Sequence, residues 1–165
     1  MSSKETILIF GGNGFIGAET VELILNIFGD KYDLVLVNRG NWEDWDAEAR
    51  IKSRVKNHII CDRKRDSLKT ALIQYLSQVD FKFFAVIDFS GLKPHFIKEV
   101  IKDIPADKIN LYIYISTDSV YEVSEIKSRG IEKNLLSESD SIRPASKEER
   151  ERLKEFDTYA HEKLQ

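Results

Sequence analysis

Two groups of residues have the types and spacing to do chemistry. Near the end of the chain stand Tyr159 and Lys163, four apart in Tyr-Ala-His-Glu-Lys. At that spacing both side chains share one helical face. A neighbouring ammonium favours the ionised form of a phenol, so such a tyrosine can exchange a proton with a substrate hydroxyl or carbonyl. A hydroxyl from another element, such as Thr117, can hold the same oxygen. Near the start, the β-prone run Ile7–Phe10 breaks into Gly11, Gly12, Asn13 and Gly14, and a helical pattern opens at Phe15, Ile16 and Gly17. From Gly12 this reads G-x-G-x-x-G. Glycines so spaced give a tight turn, close approach of backbone to a diphosphate, and close packing of helix on strand. The helix start then offers amides and a positive dipole end to phosphate charge. The alternative is a glycine-rich connector with no ligand.

The elements that must position these residues alternate. After Thr6–Phe10 the spacing of Ile16, Val21, Ile24, Leu25 and Phe28 predicts a helix over 15–28, with Gly29 past its end. Asp33–Asn38 reads as a strand buried on both faces. Residues 39–57 read as an exposed loop with a short helix, in which Trp42 and Trp45 cover a core edge. His58–Cys61 is a third strand, Ser67–Val79 a helix with Leu68, Leu72, Ile73, Leu76 and Val79 on one face, and Phe83–Phe89 a fourth strand. A helix over Pro94–Ile104, a fifth strand over Leu111–Ser116, an irregular stretch Glu122–Ala145 and a terminal helix opening at Ser146 complete the chain. The last carries a capping-box pattern at Ser146–Glu149 and an apolar stripe of Leu153, Phe156, Ala160 and Leu164. The charged run Lys147–Lys154 is read as its wet face. Strands alternating with helices predict an α/β doubly wound parallel sheet, the Rossmann fold, in the order 3-2-1-4-5 with helices on both faces. The whole of 1–165 is expected to be a single dinucleotide-binding domain.

In such a sheet ligands bind outside the carboxyl ends of the strands. The residues there are the glycine turn, then Asn38 and Arg39 after strand two, Asp62 and Arg63 after strand three, Ser90 and Gly91 after strand four, and Ser116 and Thr117 after strand five. An acidic residue after strand two accepts bonds from a ribose 2′-hydroxyl, whereas an arginine accommodates a 2′-phosphate. Asn38–Arg39 therefore favours NADP over NAD, although Arg39 also reads as a solvated loop arginine. Asp62 either faces an adenine edge or caps the turn after its strand.

The totals narrow the classes. The chain has 165 residues, 42% hydrophobic and 32% charged, with a net charge of −3. One domain fits that length, and the charge leaves no electrostatic footprint for nucleic acid or an anionic membrane. One cysteine, Cys61, permits no intramolecular disulfide and fits a reducing compartment. No apolar run of spanning length and no signal-peptide pattern is present, so the expected location is cytoplasmic. His58, His95 and His161 have no partners at metal-ligand spacing, and no metal is expected.

With GGNGFIG (Gly11–Gly17), CDR (Cys61–Arg63), STDSVY (Ser116–Tyr121) and YAHEK (Tyr159–Lys163) in this order, the chain resembles the extended or atypical short-chain dehydrogenases/reductases, the NAD-dependent epimerase/dehydratase group. The resemblance implies an NAD(P)-dependent oxidoreductase or epimerase acting on a hydroxyl or carbonyl substrate, such as a nucleotide sugar. It implies Thr117 as the catalytic hydroxyl, Tyr159 as acid/base, and Lys163 as the group that polarises the tyrosine and holds the nicotinamide ribose. Pairing of subunits through the Tyr159 helix is expected on the same ground. Ser119 and Glu122 stand where nucleotide-sugar dehydratases carry glutamate and glycine, which departs from dehydration of that type. Asn38–Gly40 and Val86–Gly91 look more like the atypical branch, some members of which are RNA-associated. Family members continue beyond the lysine into a substrate-binding lobe, whereas here Leu164 and Gln165 follow. The expectation is a fragment or short form of a longer enzyme, or a non-catalytic NAD(P)-binding sensor.

Overall fold

The computed structural model describes residues 4–42, 44–78, 80–131 and 135–165. Five parallel strands, β1 (Glu5–Phe10), β2 (Tyr32–Asn38), β3 (Asn57–Ile60), β4 (Phe83–Asp88) and β5 (Tyr112–Tyr114), form one sheet in the order β3-β2-β1-β4-β5. This is the predicted doubly wound order. Successive side chains of a strand point to opposite faces, so a strand covered on both sides must be apolar throughout. Accordingly Leu8, Phe10, Val35, Val37 and Val86 pack on one face with Leu68, Leu72, Val100 and Ile104. Ile7, Ile9, Leu34, Leu36, Ala85 and Ile87 pack on the other with Ala18, Val21 and Ile51. Burial of one such side chain is worth roughly 1.5–3 kcal/mol, so these two layers dominate the stability of the sheet.

The helices are α1 (Phe15–Phe28), α2 (Leu68–Ala71), α3 (Ile73–Leu76), α4 (Pro94–Asp103), α5 (Glu125–Ser128), α6 (Lys147–Phe156) and α7 (Thr158–Lys163). Helix α1 has the predicted bounds. The helix predicted over Ser67–Val79 is instead two, broken at Leu72 (φ −93°, ψ 5°), and Val79 lies outside the described residues. Leu68 and Leu72 are buried while Ile73, expected beside them, is exposed. The terminal helix is likewise divided. Asp157 is extended and its carboxylate accepts from the Ala160 N–H at 2.9 Å, capping a new helix. Phe156 is thereby left exposed, while Leu153 and Ala160 are buried with Leu164 against them. Strand β5 is shorter than predicted, but its ladder bonds to β4 run from the Leu111 carbonyl to the Ile115 N–H.

The stretch 39–57 is less exposed than its polarity suggests. Trp42, Ala47 and Ile51 are buried, and Trp42 meets the His58 ring edge-on at 4.6 Å. Trp45, at φ 61°, is exposed and stacks on Phe15 at 4.8 Å. Within 122–145 the structure forms α5 and a 3-10 turn, Glu138–Asp140, closed by a capping box between Ser137 and Asp140.

The chain divides into two compact units. One comprises Met1–Ser90 with Lys98–Ile115 and holds the sheet; the other comprises Gly91–Ile97 with Ser116–Gln165. Among the described residues no helix is long and apolar enough to cross a membrane.

Candidate functional site

In the sheet unit, β1 ends in a turn that only small residues can make. Gly11 adopts φ +73°, a left-handed conformation that side chains rarely take, and a Cβ there would lie 3.2 Å from that of Ser90. At Gly17 a Cβ would stand 2.4 Å from the Gly11 carbonyl oxygen and 2.9 Å from the Gly12 Cα. The first turn of α1 thus rests directly on the backbone of the glycine turn. The turn is closed by the Gly14 N–H donating to the Gly11 carbonyl at 3.1 Å. Three amides that follow, of Phe15, Ile16 and Gly17, donate to no acceptor among the described residues. Gly14 caps α1 without a side chain, and the first turn carries no acid. The positive end of a 14-residue helix therefore lies open.

At the tip of β2, Asn38 is buried. Its Oδ1 accepts from the Gly40 N–H and pairs with His58 Nε2, both at 2.8 Å. Asn38 Nδ2 is buried with no hydrogen-bond partner among the described residues. Burial, then the Lys52 charge, lowers the His58 pKa, so the imidazole is neutral near pH 7. Arg39, by contrast, is exposed. Asn13 reaches across from the glycine turn to donate to the Asn41 carbonyl, tying the mouths of β1 and β2 together.

After β3, Asp62 caps its own turn, accepting from the Lys64 N–H at 3.0 Å. That was one of its two expected roles. Arg63 turns inward. Its guanidinium pairs with Asp88 at 2.8 Å, donates to Ser90 Oγ at 3.2 Å and stacks 4.6 Å from the Phe10 ring centroid. Asp88 also accepts from the Tyr112 hydroxyl at 2.9 Å and from the Ser90 N–H at 2.9 Å. Burial and the Asp88 carboxylate push the Tyr112 phenol well above its ordinary pKa. Neither Asp88 nor Tyr112 was singled out from sequence. The available signal was an acid ending the otherwise apolar run FFAVID, which requires a buried partner.

The remaining candidates, Gly91, Ser116, Thr117, Tyr159 and Lys163, belong to the second unit. Thr117 Oγ1 accepts from the Ser119 N–H at 3.3 Å and caps the 3-10 turn Asp118–Val123. On α7 Tyr159 is 49% exposed and Lys163 only 7%. Among the described residues no three His, Cys, Asp or Glu side chains gather as a metal site.

No protein-family model matches the sequence. Solved structures do. A dTDP-glucose 4,6-dehydratase from Bacillus anthracis, in complex with NAD, superposes with a TM-score of 0.61 at 17% identity, over 97% of this chain and 47% of that one. A short-chain dehydrogenase/reductase from Veillonella parvula, in complex with NADP, gives 0.52 at 15%, over 84% and 59%. An ADP-L-glycero-D-manno-heptose-6-epimerase from Helicobacter pylori gives 0.53 at 16%, over 93% and 50%. The chain has the fold of the short-chain dehydrogenases/reductases. It spans about half the length of these solved chains.

Proposed function

We propose that this chain is the NAD(P)-binding part of a short-chain dehydrogenase/reductase-type oxidoreductase or epimerase. The observation that carries the reading is the Gly11–Gly17 turn, whose closed Cβ positions and unpartnered amides at Phe15, Ile16 and Gly17 suit a diphosphate. Gly11, Gly12, Asn13 and Gly14 line the turn, and Ser90 borders it through its contact with Gly11. Asn38, Arg39, Asp62 and Arg63 form the tips of β2 and β3, while Gly91 and Ser116 follow β4 and β5 in the chain.

The β2 tip supports NADP as the preferred form. Asn38 already spends its carbonyl oxygen on Gly40 and His58, and no acid stands beside it to receive a ribose 2′-hydroxyl. The exposed Arg39 is free to meet a 2′-phosphate. A nicotinamide dinucleotide supplies hydride transfer when bound. The part of this chain's residues is acid–base and positional. Tyr159 moves a proton at its phenol oxygen, Lys163 provides a positive charge one turn away, and Thr117 orients the substrate oxygen.

Calorimetric titration with NADPH and NADH tests the reading. NADPH is expected to bind more tightly, and Arg39→Ala to narrow its advantage by about 1.5–3 kcal/mol, the worth of a hydrogen bond to a charged group. Absence of binding by either dinucleotide overturns it. Equal affinities that Arg39→Ala leaves unchanged overturn the preference for NADP. In a full-length enzyme, Tyr159→Phe is expected to remove turnover and leave dinucleotide affinity intact.

A further inference from the structure

The second unit holds a group of cations that form no ion pair among the described residues. Arg150 and Lys154 are four apart on α6 and share a face. Arg150 donates to the carbonyls of Pro144 at 3.1 Å and Ala145 at 2.9 Å, which holds the segment after Arg143 against that helix. His161, 5% exposed, lies on α7, which packs on α6, and its imidazole is within electrostatic range of Arg143, Lys154 and Arg150. Among the described residues, the side chains of Arg143, Lys154 and His161 make no hydrogen bond or ion pair. Among the described residues Glu162 is the one carboxylate acting on the imidazole, and it is already paired with Lys93 at 3.0 Å. The run Lys147–Lys154 is therefore not simply a wet face.

Like charges gathered without a counter-charge are unfavourable unless an anion joins them. We propose that Arg143, Arg150, Lys154 and His161 form a binding site for a phosphoryl group. Arg143 and Lys154 are exposed and present unspent donors, while Arg150 is fixed by its carbonyl bonds. Burial, then Arg143 and Lys154, keeps the imidazole neutral near pH 7 in the free protein. An arriving dianion reverses that balance, so His161 takes up a proton and adds a further positive charge. A tetrahedral dianion gains from this more than a singly charged carboxylate does. None of the four residues belongs to the glycine turn or the strand tips of the sheet.

The test is calorimetric titration of the whole chain with inorganic phosphate and, separately, with sulfate, at constant ionic strength set with chloride. Saturable phosphate binding is expected, weakened roughly tenfold or more in R143Q/K154Q, whose two positions are exposed and leave the fold intact. Sulfate keeps its charge between pH 8 and pH 6, conditions chosen to span the ordinary imidazole range. Its affinity is expected to rise as pH falls in the wild-type chain and to be nearly flat in H161Q. No saturable binding of either anion, or equal phosphate affinity in the wild type and R143Q/K154Q, overturns the site. Sulfate binding with the same pH dependence in H161Q removes His161 from it.

Discussion

Arg63 and Asp88, 25 residues apart and at the tips of non-adjacent strands, form an ion pair 2.8 Å long whose side chains are 6% and 0% exposed. The pair is embedded. Ser90 and Tyr112 complete the carboxylate's hydrogen bonds, and the Phe10 ring covers the guanidinium. Removal of one member of a buried pair leaves an uncompensated charge and costs about 3–5 kcal/mol, whereas replacement of both can be nearly neutral. Arg63→Met is therefore expected to lose about 3 kcal/mol or more in urea unfolding, and Arg63→Met/Asp88→Leu to lose less than the single variant. A single-variant loss below about 1 kcal/mol would mean that the carboxylate is solvated in solution.

The Tyr112 phenol donates to the same carboxylate, and its raised pKa gives stability a particular pH dependence. A group whose pKa is higher in the folded state contributes fully below its unfolded value, near 10 for a phenol, and the contribution is lost as pH rises toward the folded value. Above about pH 10 the unfolded chain sheds this proton and the folded chain does not, which subtracts about 1.4 kcal/mol per pH unit. Tyr112→Phe is expected to be less stable at neutral pH and to decline less steeply in alkali. Parallel curves for the two proteins would show that the phenol ionises as readily in the fold as outside it.

The sheet and its order were legible because buried parallel strands announce themselves as short apolar runs, and glycine marks the first turn. What sequence did not reveal depends on partners distant in the chain. Asp88 looks like the polar end of a strand until Arg63 and Tyr112 are brought to it. Trp42 covers a core edge as its type suggests, whereas Trp45, read the same way, is exposed, and nothing in its spacing separates the two. The breaks at Leu72 and Asp157 were hidden because apolar spacing carries on across them. In each, one residue's backbone departs from the helix, and at Asp157 a side-chain cap outcompetes helix continuation. For the candidate site, the glycine turn and Arg39 are where residue types pointed, while the inward turn of Arg63 follows from burial, which spacing cannot express.

Cys61 is buried, and burial, reinforced by Asp66 and Glu99, pushes its thiol up to about 11. Reaction requires the thiolate, which at pH 7 is then roughly one part in ten thousand. The folded protein is expected to be almost inert to iodoacetamide at neutral pH and to react stoichiometrically once unfolded in urea. Alkylation of the native chain at the rate of free cysteine would place the thiol at the surface and contradict the packing around β3.

Gly17 and Gly14 separate the structural demands of the turn from those of its ligand. A methyl at Gly17 would meet two backbone atoms, at 2.4 Å and 2.9 Å, neither of which can swing aside. Overpacking of this kind costs about 1–3 kcal/mol, against a helix-propensity gain for alanine of about 1 kcal/mol. Gly17→Ala is thus expected to lower stability and NADPH affinity together. At Gly14 the nearest atom to an added Cβ is 3.5 Å away and the backbone is extended at φ −79°, so alanine fits without a clash and costs the preference of an N-cap for glycine over alanine, about 0.5–1 kcal/mol. Its methyl, however, would stand at the start of α1, where the proposed diphosphate requires bare backbone. Gly14→Ala is expected to stay folded, unfolding at a modestly lower urea concentration than the wild type, and to bind NADPH at least about tenfold more weakly. Full affinity in that variant would mean that the diphosphate does not lie over this turn, since nothing in the fold itself excludes the methyl.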